Sequence, residues 1–577
     1  MDELIESRRR SSRATEYQWW KHGIIYQIYP RSFADATGSG SGDLKGIISK
    51  LDYLEELGVD GLWLSPIFDS PLHDIGYDVR DYRTIHSLFG TLADFDELVK
   101  QAHARGIHII LDLVFNHTSS EHRWFRDSRS SRTSKKRHWY IWHPGRRIGL
   151  SGWRPLRLPP NNWRAAFGGG AWAWDSHTEA YYLHLFLDRQ PDLNWRNPDV
   201  ERAMFDRARF WLDRGVDGFR LDVINYIVKD RDLRSNPYHL HWTFPRRHDQ
   251  QLHIHDRNQP ESHEILKRFR ALLDEYGETM LVGEVYPNEG LMEPENSAEY
   301  LGAGDDELHL TFDFSLLQTG FRARWFRSAL ERWYAAMPSE GWPSHVLSNH
   351  DRPRAMTRLC KGSVERARLL AALLLTQRGT PFLYYGEEIG MSDGRLRRSQ
   401  IHDPIGHAYW PFYSGRDPSR TPMQWNEAPN AGFCPAGVAP WLPVNADFDR
   451  PDGTAVNVEA QNADPDSLLN WYRKLIRLRR SRPELTHGSI EFLHSHHDLL
   501  AYRREHGGAS TVMLLNFSQR TVPFPASCRR PGRDDAPLGP LEVRMIFEDA
   551  DDRGPVAERT DTPLHVSGRG GRARRGT

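Results

Sequence analysis

"GVDGFRLDVIN", residues 215–225, sets two charged side chains inside a run otherwise built like a buried β-strand. Side chains alternate faces along a strand, so Phe219, Leu221 and Val223 share one side and Arg220 and Asp222 the other. Burying a guanidinium and a carboxylate in plain core is expensive even when they are paired. The second face therefore needs a purpose other than packing.

Similar short apolar or β-branched runs recur along the chain. They are "GIIYQIYP" from 23, "VDGLWLSP" from 59, "GIHIILDLVF" from 106 and "VDGFRLDVI" from 216. "TMLVGEVY" from 279, "LHLTFDF" from 308, "SHVLSNHD" from 344 and "TPFLYYGEE" from 380 complete a set of eight. Between them lie "LKGIISKLDYLEELG", "LADFDELVKQAHARG" and "SHEILKRFRALLDEYG", whose apolar spacing near 3.6 and closing Gly predict amphipathic helices. Strand and helix alternating eight times predict an α/β fold, a (β/α)8 TIM barrel.

Three connections exceed plain loops. Residues 118–183, rich in Trp, Arg, Gly and Pro, predict a small domain inserted after strand 3. Residues 229–262 are a His-rich excursion after strand 4, and residues 387–465, dense in Pro, Gly, Asp and Asn, follow strand 8. All three fall at the C-terminal face, where such barrels keep their sites. Beyond "DSLLNWYRKLIRLRRSRPEL", alternating runs such as "LLAYRRE" and "STVMLLNF" predict an all-β domain. The expected division is a barrel over 17–117 and 184–482, an insert over 118–183, and a C-terminal β-sandwich over 483–566. Residues 1–16 and 567–577 are expected to be tails.

Bulk properties narrow the function classes. The 577 residues carry a formal net charge of −1, which gives no reason to expect nucleic acid or an anionic membrane as partner. Three Cys, at 360, 434 and 528, are odd in number and far apart, fitting neither a disulfide framework nor a zinc site; a reduced, cytoplasmic setting is expected. The opening "MDELIESRRRSSRATEY" has no apolar core of a secretory signal, and no run of about 18 apolar residues predicts a spanning helix. The basic "SGRGGRARRGT" end reads as disorder rather than an anion site. Twenty Trp leave two readings open for those at 139–195, a sugar platform or the core of the insert.

A barrel gathers its strand ends at one mouth. Asp222 ends strand 4, Glu284 in "LVGEVYP" ends strand 5 and Asp351 in "SNHD" ends strand 7. Converging carboxyls suit glycosidic cleavage: one attacks or supports an oxocarbenium-like carbon and one protonates the leaving oxygen. Arg220 is expected to keep Asp222 ionised. Asp112, Asn116 and His117 at the end of strand 3, with His350, are expected to supply donors to sugar hydroxyls. Each alone reads as a turn or cap residue; four polar clusters at four strand ends do not.

"DLVFNH" (112–117), "GFRLDVIN" (218–225), "GEVY" (283–286) and "SNHD" (348–351) resemble the four motifs of the α-amylase superfamily, glycoside hydrolase family 13. "QPDLNW" (190–195) resembles the extra motif of its oligo-1,6-glucosidase branch. The resemblance implies Asp222 as nucleophile, Glu284 as general acid/base and Asp351 as the third carboxylate. It implies that Asp74 and Tyr77 in "HDIGYDVRDY", with His117, Arg220, His350 and Arg416, hold the terminal glucose; Arg420 competes with Arg416 for its place. The implied activity is that of an exo-acting α-glucosidase on an oligosaccharide substrate.

The first loop departs from the family pattern. Relatives carry Asp-x-Asn-x-Asp-Gly-x-Gly-Asp, a calcium- or magnesium-type loop; here "DATGSGSGD" (35–43) keeps Asp35 and Asp43 but has Thr37 and Ser39. Loss of a charged ligand and an amide predicts no tight metal and no cofactor. The close pairs His239/His241 and His253/His255 have the makings of transition-metal ligands, but a solvated loop is the simpler expectation. Val223, next to the nucleophile, resembles the α-1,6-acting members of the branch, and is expected near the leaving-group sugar. One apolar branch biases such a choice by about 1–3 kcal/mol. The α-1,4-acting, transferring and sucrose-isomerising variants of the same chemistry stay open. A transporter heavy chain of this fold would lack full catalytic residues and carry a membrane helix. A carbohydrate-binding module would explain the tryptophans but not the carboxyls.

Overall fold

The computed structural model describes residues 17–148, 156–239, 247–286, 294–449, 455–529 and 535–548. Eight parallel strands form one sheet. They are β1 (Ile25–Ile28), β2 (Gly61–Leu64), β3 (His108–Val114), β4 (Gly218–Asp222), β5 (Met280–Gly283), β6 (Leu310–Thr311), β7 (Ser344–Val346) and β8 (Thr380–Tyr384). Their order, β6-β5-β4-β3-β2-β1-β8-β7, is that of a (β/α)8 barrel opened between β6 and β7. At that seam the Ser344 hydroxyl donates to the Thr311 carbonyl at 2.8 Å. All eight strand runs read from the sequence are present, β6 as only two residues.

Alternation along the strands divides the core in two. Ile25, Trp63, Ile110, Val282, Leu310 and Phe382 fill the barrel interior, while Tyr26, Leu62, Leu64, Ile109, Leu111 and Leu281 pack outward against the helices. On β4, Phe219 and Leu221 join the outward shell. Arg220 therefore points inward, in register with Asp112 on β3 and Val282 on β5. Apolar side chains fill the lower barrel, and the charged ones begin where that packing ends.

The helices follow the sequence rules. Leu92–His103 starts with a reciprocal Thr91–Asp94 capping box and buries Phe95, Leu98, Val99 and Ala102 at helical spacing. The run read as one helix from 44 divides into Leu44–Ile48 and Leu51–Leu57, and Gly58 closes the second with a left-handed φ of 90°.

The insert holds helix Arg123–Ser130 and a three-stranded sheet of Trp142–His143, Ala180–Leu183 and Trp172–Asp175. Trp139, Trp163, Trp172 and Trp195 are buried, so packing, not a sugar platform, accounts for these four. The C-terminal strands β9 (Ser489–Phe492), β10 (Leu499–His506), β11 (Ala509–Asn516) and β12 (Val543–Glu548) form one antiparallel sheet in that order. Where the sequence suggested a sandwich, the described residues show this single sheet backed by a Val522–Leu538 bridge. One buried arginine joins it to the barrel, and a second braces the barrel helix beside that junction. Arg504 donates to the carbonyls of Thr376, Leu485, Gly488 and Ser489, and Arg479 to those of Leu375, Gln377 and Gly379.

Among the described residues no helix is long and apolar enough to cross a membrane. Residues 1–16 and 567–577, expected to be tails, lie outside the described residues, as do residues 549–566.

Candidate active site

Arg220 is the centre of the mouth. Its Nη1 lies 2.8 Å from Asp112 Oδ1 and 2.8 Å from Asp222 Oδ1, and its Nη2 lies 2.5 Å from Glu284 Oε2. The guanidinium is 1% exposed, which leaves these carboxyls as its compensation. The expectation that Arg220 keeps Asp222 ionised is thus corrected, because one cation serves three acids. Burial pushes Asp222 well above the ordinary carboxylate range, Arg220 opposes the rise, and Glu284, Asp112 and Asp351 add to it. Burial raises Glu284 as well. Carboxyls this crowded do not all ionise together, so Asp222 and Glu284 titrate as a pair that retains a proton.

Asp351 behaves oppositely. Burial alone would raise it, yet the neighbouring cations hold it well below its usual value. His350 is pulled down to about 3 by its own burial and is uncharged at neutral pH. The pull on Asp351 therefore comes from Arg420, whose Nη2 is 3.0 Å away, and Arg416, whose Nη1 is 3.4 Å away. Both arginines that competed for the sugar-holding place contact Asp351. With a side chain 19% exposed, Asp351 is the most open of the three carboxyls.

Around this core the other expected residues converge. Tyr77 stacks on His350 at 5.6 Å, and its hydroxyl bonds His350 Nε2 at 2.6 Å and Asp112 Oδ2 at 3.0 Å. Arg416 Nη2 reaches Asp74 at 2.7 Å and Asp403 at 2.8 Å. Burial raises Asp74 to about 6 against the pull of Arg416. His117, held to about 3 by burial, lies 3.2 Å from the Tyr77 carbonyl.

Residues 27–488 match the alpha-amylase catalytic domain. The chain belongs to the alpha-amylase family of glycoside hydrolases. Within it the chain falls in the oligo-1,6-glucosidase and α-glucosidase branch. A "Probable alpha-glucosidase" of Rhizobium meliloti is 42% identical over 520 residues, covering 87% of this chain and 90% of that protein. An "Oligo-1,6-glucosidase" of Parageobacillus thermoglucosidasius is 40% identical over 546 residues, covering 88% and 92%. The crystal structure of an alpha-glucosyl transfer enzyme, XgtA, superposes with a TM-score of 0.84 at 40% identity, covering 92% of this chain and all of that one.

Several roles expected from the sequence change in the structure. Asp112 and Asn116 were read as donors to sugar hydroxyls. Asp112 instead accepts from Arg220, Tyr77 and Trp63, and Asn116 accepts from the buried Lys229 at 2.7 Å. Lys229 also pairs with Asp192 at 2.8 Å. Both Asp112 and Asn116 brace the mouth from beneath. Val223 is buried among Trp163, Trp172, Leu185 and Tyr226, with a left-handed φ of 39° that a β-branched residue rarely adopts. Its side chain packs against the insert.

Sequence reasoning missed two residues. Gln190 Nε2 lies 3.0 Å from both Asp74 Oδ2 and His117 Nε2; its signal was its place at the head of "QPDLNW". Asp403, deep in the long segment after β8, carried no signal at all.

The two metal expectations meet the geometry differently. In the 35–43 loop, Asp35 Oδ1 accepts from the backbone N–H groups of Thr37, Gly38 and Ser39, and Oδ2 from Gly40. Asp43 Oδ2 accepts from Ala36 N, Thr37 N and Thr37 Oγ1, and Oδ1 caps a helix through Gly46 N. The loop's carboxylates are spent on its own donors, which does not fit a cation that demands them. In the His-rich excursion, His253 Nδ1 bonds Asp256 at 2.8 Å and its Nε2 the His248 carbonyl at 3.0 Å, so both nitrogens are engaged. His241 lies outside the described residues.

Proposed function

We propose that this chain is an exo-acting, retaining α-glucosidase that removes terminal α-linked glucose from disaccharides and short oligosaccharides, with a preference for α-1,6 links. The observation that carries the reading is the single guanidinium touching both Asp222 and Glu284. A shared Arg220 gathers both carboxyls at one point of the mouth, which supports a paired-carboxyl glycosidase; the retaining course rests on the likeness of the motifs to the family.

In this reading the reactive form of the pair is the one with its shared proton on Glu284: Asp222 attacks the anomeric carbon and Glu284 gives that proton to the leaving oxygen. Glu284 then takes a proton from water, which opens the glucosyl–Asp222 ester. Asp351, kept ionised by Arg416 and Arg420, binds the ring hydroxyls and favours the distorted, positively charged sugar. Tyr77 stacks beneath the ring, and Asp74, His117, His350 and Arg416 hold its far hydroxyls. The Asp74–Arg416–Asp403 ion cluster ties the loop after β2 to the segment after β8, which supports a closed pocket for one terminal sugar.

The α-1,6 preference rests on Val223 and on the names of relatives such as the Parageobacillus oligo-1,6-glucosidase. Transfer of glucose to a second sugar is the second reading, favoured by the likeness to XgtA. We further propose that the 35–43 loop works without a bound cation, and that no cofactor is needed. Three unpaired cysteines support a reducing, cytoplasmic setting. The test is an initial-rate comparison on isomaltose, maltose, sucrose and trehalose that follows both glucose and transfer products. Isomaltose should win, with glucose the main product. A clear win for maltose would remove the linkage preference and leave the chemistry standing.

A further inference from the structure

Behind the end of β7 lies a small cavity with room for about one water molecule. Ser348, Arg354, Cys360, Glu387 and Tyr472 are among its walls, and none of the mouth residues is. Ser348 and Ala355 form the base of a closed turn: the Ala355 N–H donates to Ser348 Oγ at 2.8 Å. Asp351 sits at its tip, beside an Asn349–Arg352 bridge. Arg354 fastens the turn to the end of β8 by donating to the Tyr385 carbonyl at 2.6 Å.

Three buried polar atoms on the cavity's wall residues have no hydrogen-bond partner, Glu387 Oε2, Arg354 Nε and Arg354 Nη2, although the Arg354 guanidinium also lies 4.7 Å and 4.6 Å from the Tyr384 and Tyr385 rings. One unpaired acceptor and two unpaired donors on residues that line a water-sized space are what a structural water satisfies. We propose that Glu387 is a positioning residue for Asp351, bracing the base of the 348–355 turn through a water bridged to Arg354. The proposal rests on the reading of Asp351 as the third catalytic carboxyl.

The electrostatics agree with that placement. Burial pushes Glu387 up to about 7, with Glu388 adding to the rise and Ser348, Tyr472 and Arg354 opposing it. The facing groups are Ser348 and Arg354 on the turn, Arg358 and Cys360 on the segment Met356–Cys360, and Tyr472 on the helix Leu468–Ser481. Asp393 accepts from the Arg354 N–H at 2.8 Å, and Glu388 is tied to Tyr26 and Tyr53. Cys360, pushed up to about 12, is neutral near pH 7, while Arg358, lowered to about 10, stays charged. A carboxyl whose folded value lies above its ordinary 4.5 stabilises fully below about 4.5 and loses that contribution as pH rises through 7.

The experiment measures kcat, KM and Tm on the full chain from pH 5 to 9, with isomaltose as substrate, for wild type, E387Q, S348A and D351N. E387Q should lower kcat about 10-fold, the scale of a small misplacement of a catalytic group, and leave KM within about twofold. It should also remove an inflection near pH 7 that wild type shows in both kcat and Tm. S348A should show the same loss of kcat at unchanged KM, and it decides the matter if E387Q does not fold. Wild-type kcat with the inflection intact in E387Q, or wild-type kcat in S348A, overturns the proposal. If D351N keeps its turnover, the role of Asp351 falls and this proposal with it; a dead D351N beside an unaffected E387Q defeats the positioning role alone.

Discussion

The mouth of the barrel and its seam with the C-terminal sheet both bury arginines, with opposite partners. At the mouth Arg220 meets carboxyls: burial would lower it, but Asp112, Glu284, Tyr77 and Asp222 drive it well above its ordinary value. At the seam Arg504 meets only carbonyls, and burial with repulsion from Arg479 lowers it to about 9. A buried guanidinium is costly in either place. At the seam its planar fork closes backbone groups that the junction leaves without donors, which is a structural use. At the mouth it gathers acids into a space too small to ionise them all, which destabilises the fold and suits proton transfer.

Asp222→Asn breaks the mouth half of this comparison most severely. Turnover should fall by about 10⁴-fold or more, as when other covalent nucleophiles are removed. Tm should stay level or rise, because the change removes one of three acids crowding Arg220. Steady-state rates and calorimetry on one preparation check both halves. Loss of Tm together with activity would mean the cluster is structural, like the seam.

Arg504→Met tests the seam. It strips donors from four buried carbonyls, and removing one side of such an arrangement costs about 3–5 kcal/mol. Urea unfolding should show that loss, while KM of the folded protein at low temperature stays at the wild-type value. A shifted KM would connect the seam to the mouth and end the separation drawn above.

Legibility in the sequence follows the same division. The strands were readable because each alternates apolar and polar positions with period two, and the charged face of β4 was readable because it broke that rule. The acids at the strand ends were readable because a barrel brings strand ends together. Partners were not. Asp74 and Arg416 meet across 342 residues of chain, both on loops with no period to betray them. Asp112 and Asn116 were seen as polar groups at the right strand end, yet their hydrogen bonds go to Arg220 and Lys229. Sequence names the groups a site owns; three-dimensional neighbours decide which remain free for a substrate.

Asp74 sharpens the comparison as an acid with one dominant cation. Burial raises it to about 6 despite Arg416, from an ordinary 3.8. Because the folded value is the higher one, its contribution to stability is fully present below about 4 and is lost as pH rises through 6. At about 1.4 kcal/mol per unit, the change approaches 3 kcal/mol. Relative to Asp74→Asn, wild type should therefore lose stability between pH 4 and 7, read from unfolding midpoints at each pH. A flat difference would mean that Arg416 fully compensates the burial.

The smallest effect belongs to carboxylates with no side-chain cation partner. Asp35 and Asp43 are satisfied by backbone N–H groups and the Thr37 hydroxyl, the counterpart of the seam with donor and acceptor exchanged. Since those donors already occupy the oxygens a hard cation needs, millimolar calcium or EDTA should move Tm by less than about 1 °C. Thr37→Asn with Ser39→Asp restores an amide and a charge at alternate positions, and in that double variant calcium should raise Tm where it does nothing to wild type. A calcium-dependent Tm in wild type would show that the backbone donors yield to a cation, and that hydrogen bonds to Asp35 are not the closed arrangement their geometry describes.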